Sequence, residues 1–204
     1  MHDLAPEDAP EITRLFKSLE LGFMSQMPTP LIILYYRNIG RCPHFKCRVL
    51  KDGNDILGFY VIITDSAVPR YTPFLKTPIR LFLLSSALVV PLFLFARYMF
   101  LGFKTAPKQK SYRRQYDSEL IYIGVKRGEE GKGLGTQLME DMRRVLRQKG
   151  VSFLGLEYFK DDLKAERFYD KFAHEKLGEL NTGGRISISL RIPVGNLPDS
   201  RPPL

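Results

Sequence analysis

The chain predicts an α/β fold in which strands and helices are interleaved. Ser118–Val125 reads as a strand, breaks at Glu130-Gly-Lys-Gly-Leu-Gly135 and continues as a helical pattern. Val151–Phe159 and Asp162–Lys171 repeat that strand-to-helix step directly behind it. Earlier, two apolar stretches flank the turn Lys51-Asp-Gly-Asn-Asp55, as a strand pair would.

In chain order, apolar spacing predicts helices over Pro10–Leu19 and Thr29–Asn38, then strands over Lys46–Lys51 and Ile56–Thr64. A strand follows at Leu120–Val125 and a helix at Gly133–Lys149, with Leu134, Leu138, Met139, Met142, Val145 and Leu146 on one face. Next come a strand at Ser152–Tyr158 and a helix at Leu163–Phe172, striped by Ala165, Phe168, Tyr169 and Phe172. Lys176–Leu180 and Arg185–Ile192 read as a closing strand pair around Asn181-Thr-Gly-Gly184. No internal repeat is visible, so residues 1–192 are expected to form one domain, followed by a loose Pro-rich tail over 193–204.

The 204 residues suffice for one buried core. Two cysteines make no disulfide scaffold, and Glu7, Asp8 and Glu11 interrupt any apolar leader, so a cytoplasmic location is expected. Cys42-Pro-His-Phe-Lys-Cys47 offers three metal ligands and no fourth nearby, so no metal is expected. The net charge of +9 is local: nine basic residues and no acidic one fall within 66–116. The other 22 basic residues match the 22 acidic ones, which argues against a nucleic-acid partner.

Within that segment Leu81–Ala96 is uncharged and almost wholly apolar, close to the length of a membrane span of about 20 residues. Ser85-Ser86 and Pro91 would break it into a hairpin or helix pair. Residues 77–103 are therefore expected to meet a membrane surface, with basic flanks on anionic headgroups. Burial against protein, as a lid or homodimer interface, is the alternative.

Glycines at 131, 133 and 135 sit where a strand becomes a helix, where unpaired amides and the helix dipole attract phosphate. No Lys-Ser or Lys-Thr follows them, which removes the nucleoside-triphosphate loop. Glu157 and Asp161-Asp162 lie near the spacing of a dinucleotide fingerprint, which spacing alone leaves open.

The combination resembles the GNAT N-acetyltransferase superfamily. Its Arg/Gln-x-x-Gly-x-Gly/Ala motif falls on Glu130, Gly133 and Gly135, and its Asn-x-x-Ala-x-x-Phe-Tyr-x-Lys helix on Asp162, Ala165, Phe168, Tyr169 and Lys171. Leu4–Leu15 is similar to the family's first helix. The resemblance implies a mixed, mostly antiparallel central sheet flanked by helices, with the apolar segment as a helical insertion between strands three and four. Both ends of that insertion then emerge on one side of the sheet, which conflicts with a single membrane span.

The resemblance also implies acetyl-CoA as co-substrate and a primary amine as acceptor, either a small molecule or lipid-linked at the inner membrane face. Donor binding is carried over to Ile123, Val125, Glu130, Gly131, Lys132, Gly133, Leu134, Gly135, Asp162 and Phe168, with the Ile123 amide as oxyanion donor. Glu130 stands where the family has Arg or Gln, and Asp162 where it has Asn. Tyr169 takes the place of the general acid. Glu119 and Glu157 are the candidate bases, with His44, His174 and water as further options. A catalytically silent acyl-CoA-binding module and a long-chain N-acyltransferase are the competing functions.

Overall fold

Seven strands form one mixed sheet in the computed structural model, which describes residues 1–53, 55–70, 72–75, 109–182 and 185–195. The strands are β1 (His2–Asp3), β2 (Phe45–Asp52), β3 (Asp55–Ile63), β4 (Ser118–Val125), β5 (Phe153–Phe159), β6 (Glu175–Thr182) and β7 (Arg185–Pro193). They lie in the order β1-β2-β3-β4-β5-β7-β6, and β4 with β5 is the parallel pair. The mostly antiparallel α/β sheet expected from the sequence is therefore present.

β3 is central because both its faces are apolar. Phe59, Val61 and Ile63 enter one core, and Tyr60 and Ile62 the other. Helices α1 (Ala9–Ser18) and α2 (Thr29–Ile39) cover the first face. Each carries proline in its first turn, where no helical donor is lost. α1 buries Ile12, Leu15 and Phe16 at helical spacing, and the Phe16 ring meets Tyr122 of β4 edge-on at 4.8 Å. A short helix, α3 (Thr72–Leu75), follows β3.

The second face is covered by α4 (Leu134–Gln148) and α5 (Leu163–Tyr169), with Leu138, Met139, Met142 and Leu146 of α4 fully buried. Asp141 of α4 is buried as well, and it is fully partnered. Arg48 of β2 donates to both its oxygens at 2.9 and 2.7 Å, Tyr60 of β3 donates at 2.9 Å, and Arg144 pairs with it from one turn on. This network fixes α4, and with it the glycine loop at its start, against the sheet.

Several boundaries differ from those expected. β1 has two residues, too few for any periodic pattern. α5 ends at Tyr169, three residues short of the predicted Phe172. Pro193 still pairs with Phe153, and Val194 is buried with its amide on the Ser152 carbonyl at 2.9 Å. The fold therefore runs past the predicted boundary at 192. The apolar stretch 81–96 and the predicted membrane contact over 77–103 lie outside the described residues, as does the tail from 196. Among the described residues no helix is long and apolar enough to cross a membrane.

Candidate active site

The site begins with strands that stop pairing. β4 and β5 are in register only at Ser118 with Leu154 and Glu119 with Gly155, and beyond these residues they part. A bulge in β4 coincides with the parting: Leu120 and Tyr122 face Ile62 and Val61 of β3, leaving Ile121 as the extra residue. Ile121 and Tyr122 both pack toward α1 and α2, whereas Ile123 and Val125 pack toward α4 and α5.

The pairing beyond the bulge decides where the free backbone points. The Lys126 amide donates to the Leu57 carbonyl of β3 at 2.7 Å. Antiparallel pairs alternate along a strand, so Gly124 turns its N–H and C=O to β3 as well. Ile123 and Val125 then turn theirs away from β3, into the fork. The fork is the floor of a cleft of about 520 Å³, walled by α5 on one side and by the loop Leu19–Gly22 on the other. That loop is bent by left-handed backbone at Glu20 (φ 54°) and Gly22 (φ 72°).

The glycine loop lies beside the cleft at the start of α4. Gly131 and Gly133 both have φ 79°, where a Cβ is disfavoured, and no atom approaches where that Cβ would lie. They serve the turn and leave open space. Gly135 differs: its Cβ would come within 2.9 Å of Phe168, so its absence lets α4 and α5 close up. The first helical bond runs from the Gln137 amide to the Gly133 carbonyl, so Leu134, Gly135 and Thr136 have amides without partners in their own helix. No side chain caps them, and no acidic residue stands in the first turn. An anion fits here.

The two departures from the family motif are taken up locally. Glu130 accepts from the Gly128 amide at 2.6 Å, and its bonds to its own amide and that of Gly128 hold its carboxyl below the ordinary value. Lys132 pairs with Glu129 at 2.8 Å. Asp162 caps α5, accepting from the Ala165 amide at 3.0 Å, a role asparagine and aspartate fill equally well. Tyr169 lines the cleft from α5, 5.7 Å from the Tyr158 ring and 5.1 Å from that of Phe168. Burial, then the nearby Asp162 and Tyr158, raises its pKa, so the phenol stays protonated.

The candidate bases occupy different surroundings. Glu119 is fully buried, held by Arg70 at 2.7 and 3.0 Å, by Arg113 at 3.0 Å and by the Tyr116 hydroxyl at 2.9 Å. Burial pulls its pKa up, but Arg70, with Arg113 and Tyr116, outweighs burial and holds it below the ordinary value. A carboxylate so held is a weak proton acceptor. Glu157 lines the cleft and takes Arg70 and Gln109 on the same oxygen, Oε1, each at 3.1 Å. Among the described residues Oε2 accepts no hydrogen bond. Neither His44 nor His174 lines the cleft.

Sequence reasoning missed Tyr122, Tyr158, Arg185 and the Leu19–Gly22 loop, all of which line the cleft. Tyr122 and Tyr158 carried a signal, as aromatic residues in the two strands that part. The loop carried none beyond Gly22. Cys42 and Cys47 are buried and not joined in a disulfide, and among the described residues no cluster of side chains would hold a metal.

A family model described as the acetyltransferase (GNAT) family matches residues 14–174. No curated protein matches the sequence. Among solved structures, an N-acetyltransferase from Staphylococcus aureus Mu50 aligns with TM-score 0.63 at 14% identity, covering 95% of this chain and 97% of that one. The ribosomal-protein-S18-alanine N-acetyltransferase from Escherichia coli aligns at 0.58 and 13%, covering 98% and 96%. An aminoglycoside 6′-N-acetyltransferase complexed with coenzyme A aligns at 0.59 and 12%, covering 98% and 100%. At such identities these likenesses speak to the fold.

Proposed function

The chain belongs to the GNAT acetyltransferase family, and from that membership we propose that it transfers an acetyl group from acetyl-CoA to a primary amine in the cleft between β4 and β5. The observation that carries the reading is the fork itself. Past Glu119 the backbone groups that Ile123 and Val125 turn toward β5 meet no pairing strand, and the uncapped amides of α4 open beside them. A donor with an amide-bearing arm and a diphosphate finds partners for both in that order.

Acetyl-CoA supplies the thioester. Gly131, Gly133 and Gly135, with the amides of Lys132 and Leu134, hold its diphosphate, and Phe168 closes the groove. The Ile123 amide donates to the carbonyl oxygen as charge builds there, and Tyr169 gives a proton to the departing thiolate. The C–N bond forms as the C–S bond breaks, and the amine gives up its proton to Glu157 or to water. Glu119 belongs to the frame of the fork and is not assigned to proton transfer. Glu130 and Asp162, the two departures from the family motif, are the residues that would favour a silent binding module. With both carboxylates engaged in their own loop and helix, that support is weak. Incubating the protein with acetyl-CoA and a panel of primary amines while following free thiol tests the reading. Donor binding without thiol release on any amine would leave the silent module.

The acceptor class is drawn from the uncharged Leu81–Ala96 stretch and its basic flanks: a lipid-linked or small amine met at a membrane face. With anionic vesicles at low salt the protein is expected to float, with part of the binding surviving high salt. Protein that stays at the bottom of the gradient would favour burial of that stretch in a homodimer or over a longer acyl chain.

A further inference from the structure

The backbone ladder between β4 and β5 ends after Glu119 and Gly155, so beyond that point no main-chain bond sets how far the strands part. Side chains do. Glu119 of β4 and Glu157 of β5 meet one guanidinium, that of Arg70. Its Nε and Nη2 donate to the two oxygens of Glu119 at 3.0 and 2.7 Å, and Nη2 also donates to Glu157 at 3.1 Å. Without the cation, two carboxylates on strands already parting would repel each other. With it, a rigid planar fork holds both at a fixed spacing.

The surroundings make the brace stiff. Arg113 and Tyr116 hold Glu119 from behind, and Gln109 holds Glu157. Glu119 is fully buried and the Glu157 side chain is 14% exposed, while that of Arg70 is 35% exposed, so solvent screens the contacts only in part. Gly155 stands at the last backbone pair, where any Cβ would run into the Tyr116 ring. Buried ion pairs add little stability over apolar replacements, so their placement at the mouth of a fork points to geometry.

Resting on the acetyl-transfer reading of the cleft, we propose that Arg70 is a positioning residue: by spanning Glu119 and Glu157 it fixes the separation of β4 and β5, and hence the width of the donor groove at Ile123 and Val125. It touches neither donor nor acceptor in this role.

The decisive variant is Arg70→Gln with Glu119→Gln, which removes the cation together with one buried anion and so keeps the net charge of the cluster, leaving Arg113 and Glu157 as its charged members. Melting temperature, acetyl-CoA affinity by calorimetry and the amide resonances of Ile123 and Val125 are measured. The double variant is expected to melt within about 5 °C of wild type. It should bind acetyl-CoA about tenfold more weakly and shift both amide resonances, since small misplacements are costly in a preformed site. A folded double variant with wild-type affinity and unmoved amides overturns the proposal. Should it fail to fold, Arg70→Lys decides. Lysine keeps the charge but cannot span both carboxylates, so weakened donor binding is expected and wild-type binding overturns the brace. If wild-type protein bound no acetyl-CoA, the transferase reading would fall. The amide resonances of the unliganded variants would then judge the brace alone.

Discussion

Replacing Gly133 by aspartate is expected to abolish acetyl-CoA binding while the protein still folds. The two halves of that expectation rest on separate observations. No atom lies within 4 Å of where the new Cβ would stand, so the side chain meets open space and not the core. Gly133 has φ 79°, a conformation that costs an L residue about 1–2 kcal/mol, and aspartate tolerates it better than most. Against a typical domain stability of roughly 5–15 kcal/mol, that is survivable. Binding is another matter. A carboxylate would stand among the free amides of Leu134, Gly135 and Thr136, taking the place of the diphosphate and repelling it. At 4 Å and an effective dielectric near 20, each pair of unit charges contributes about 4 kcal/mol, a loss of more than a hundredfold. Gly133→Ala separates the two effects, since it brings at least as much backbone strain and no charge. It should weaken binding by about tenfold at most. Calorimetry on both variants checks this, with circular dichroism to confirm the fold. Undiminished acetyl-CoA binding by a folded Gly133→Asp variant would exclude this loop as the diphosphate site.

That loop was legible from the chain because everything it needs is local. Gly131, Gly133 and Gly135 follow a strand and precede a helical stripe within a few residues, and the cap geometry needs nothing from elsewhere. The same holds for α5, whose stripe of Ala165, Phe168 and Tyr169 predicted both the helix and its buried face. The fork was not legible from residue pattern. Leu120, Ile121, Tyr122 and Ile123 are all apolar, so alternation cannot reveal that Ile121 is an extra residue or that facing changes there.

Glu119 misled for a related reason. A glutamate near the start of a strand reads as facing water, yet loop 64–70 and the segment from Gln109 to Asp117 cover that face and supply its cations. Arg70 is 49 residues from Glu119 and 87 from Glu157 along the chain. No pattern over such separations announces that one guanidinium will join them. The short β1 was missed because two residues carry no period.

Tyr169→Phe is expected to lower turnover about a hundredfold or more while leaving acetyl-CoA affinity unchanged. The hydroxyl is the only atom removed, and the ring keeps its contacts with Tyr158 and Phe168, so stability should hardly move. Because burial and its neighbours raise the Tyr169 pKa above 10.0, the phenol is a proton donor throughout the neutral range. No alkaline loss of activity at moderate pH should then trace to this residue. What tyrosine supplies is needed only as the thiolate leaves, so the loss belongs in kcat and not in donor binding. A control distinguishes this from a packing effect. An acetyl thioester of a more acidic thiol needs less help to depart, so the variant should recover much of its relative activity on that donor. Equal losses on both donors would assign the effect to a displaced helix. Unaltered turnover, with chemistry shown to be rate-limiting by single-turnover measurement, would return Tyr169 to the apolar stripe of α5.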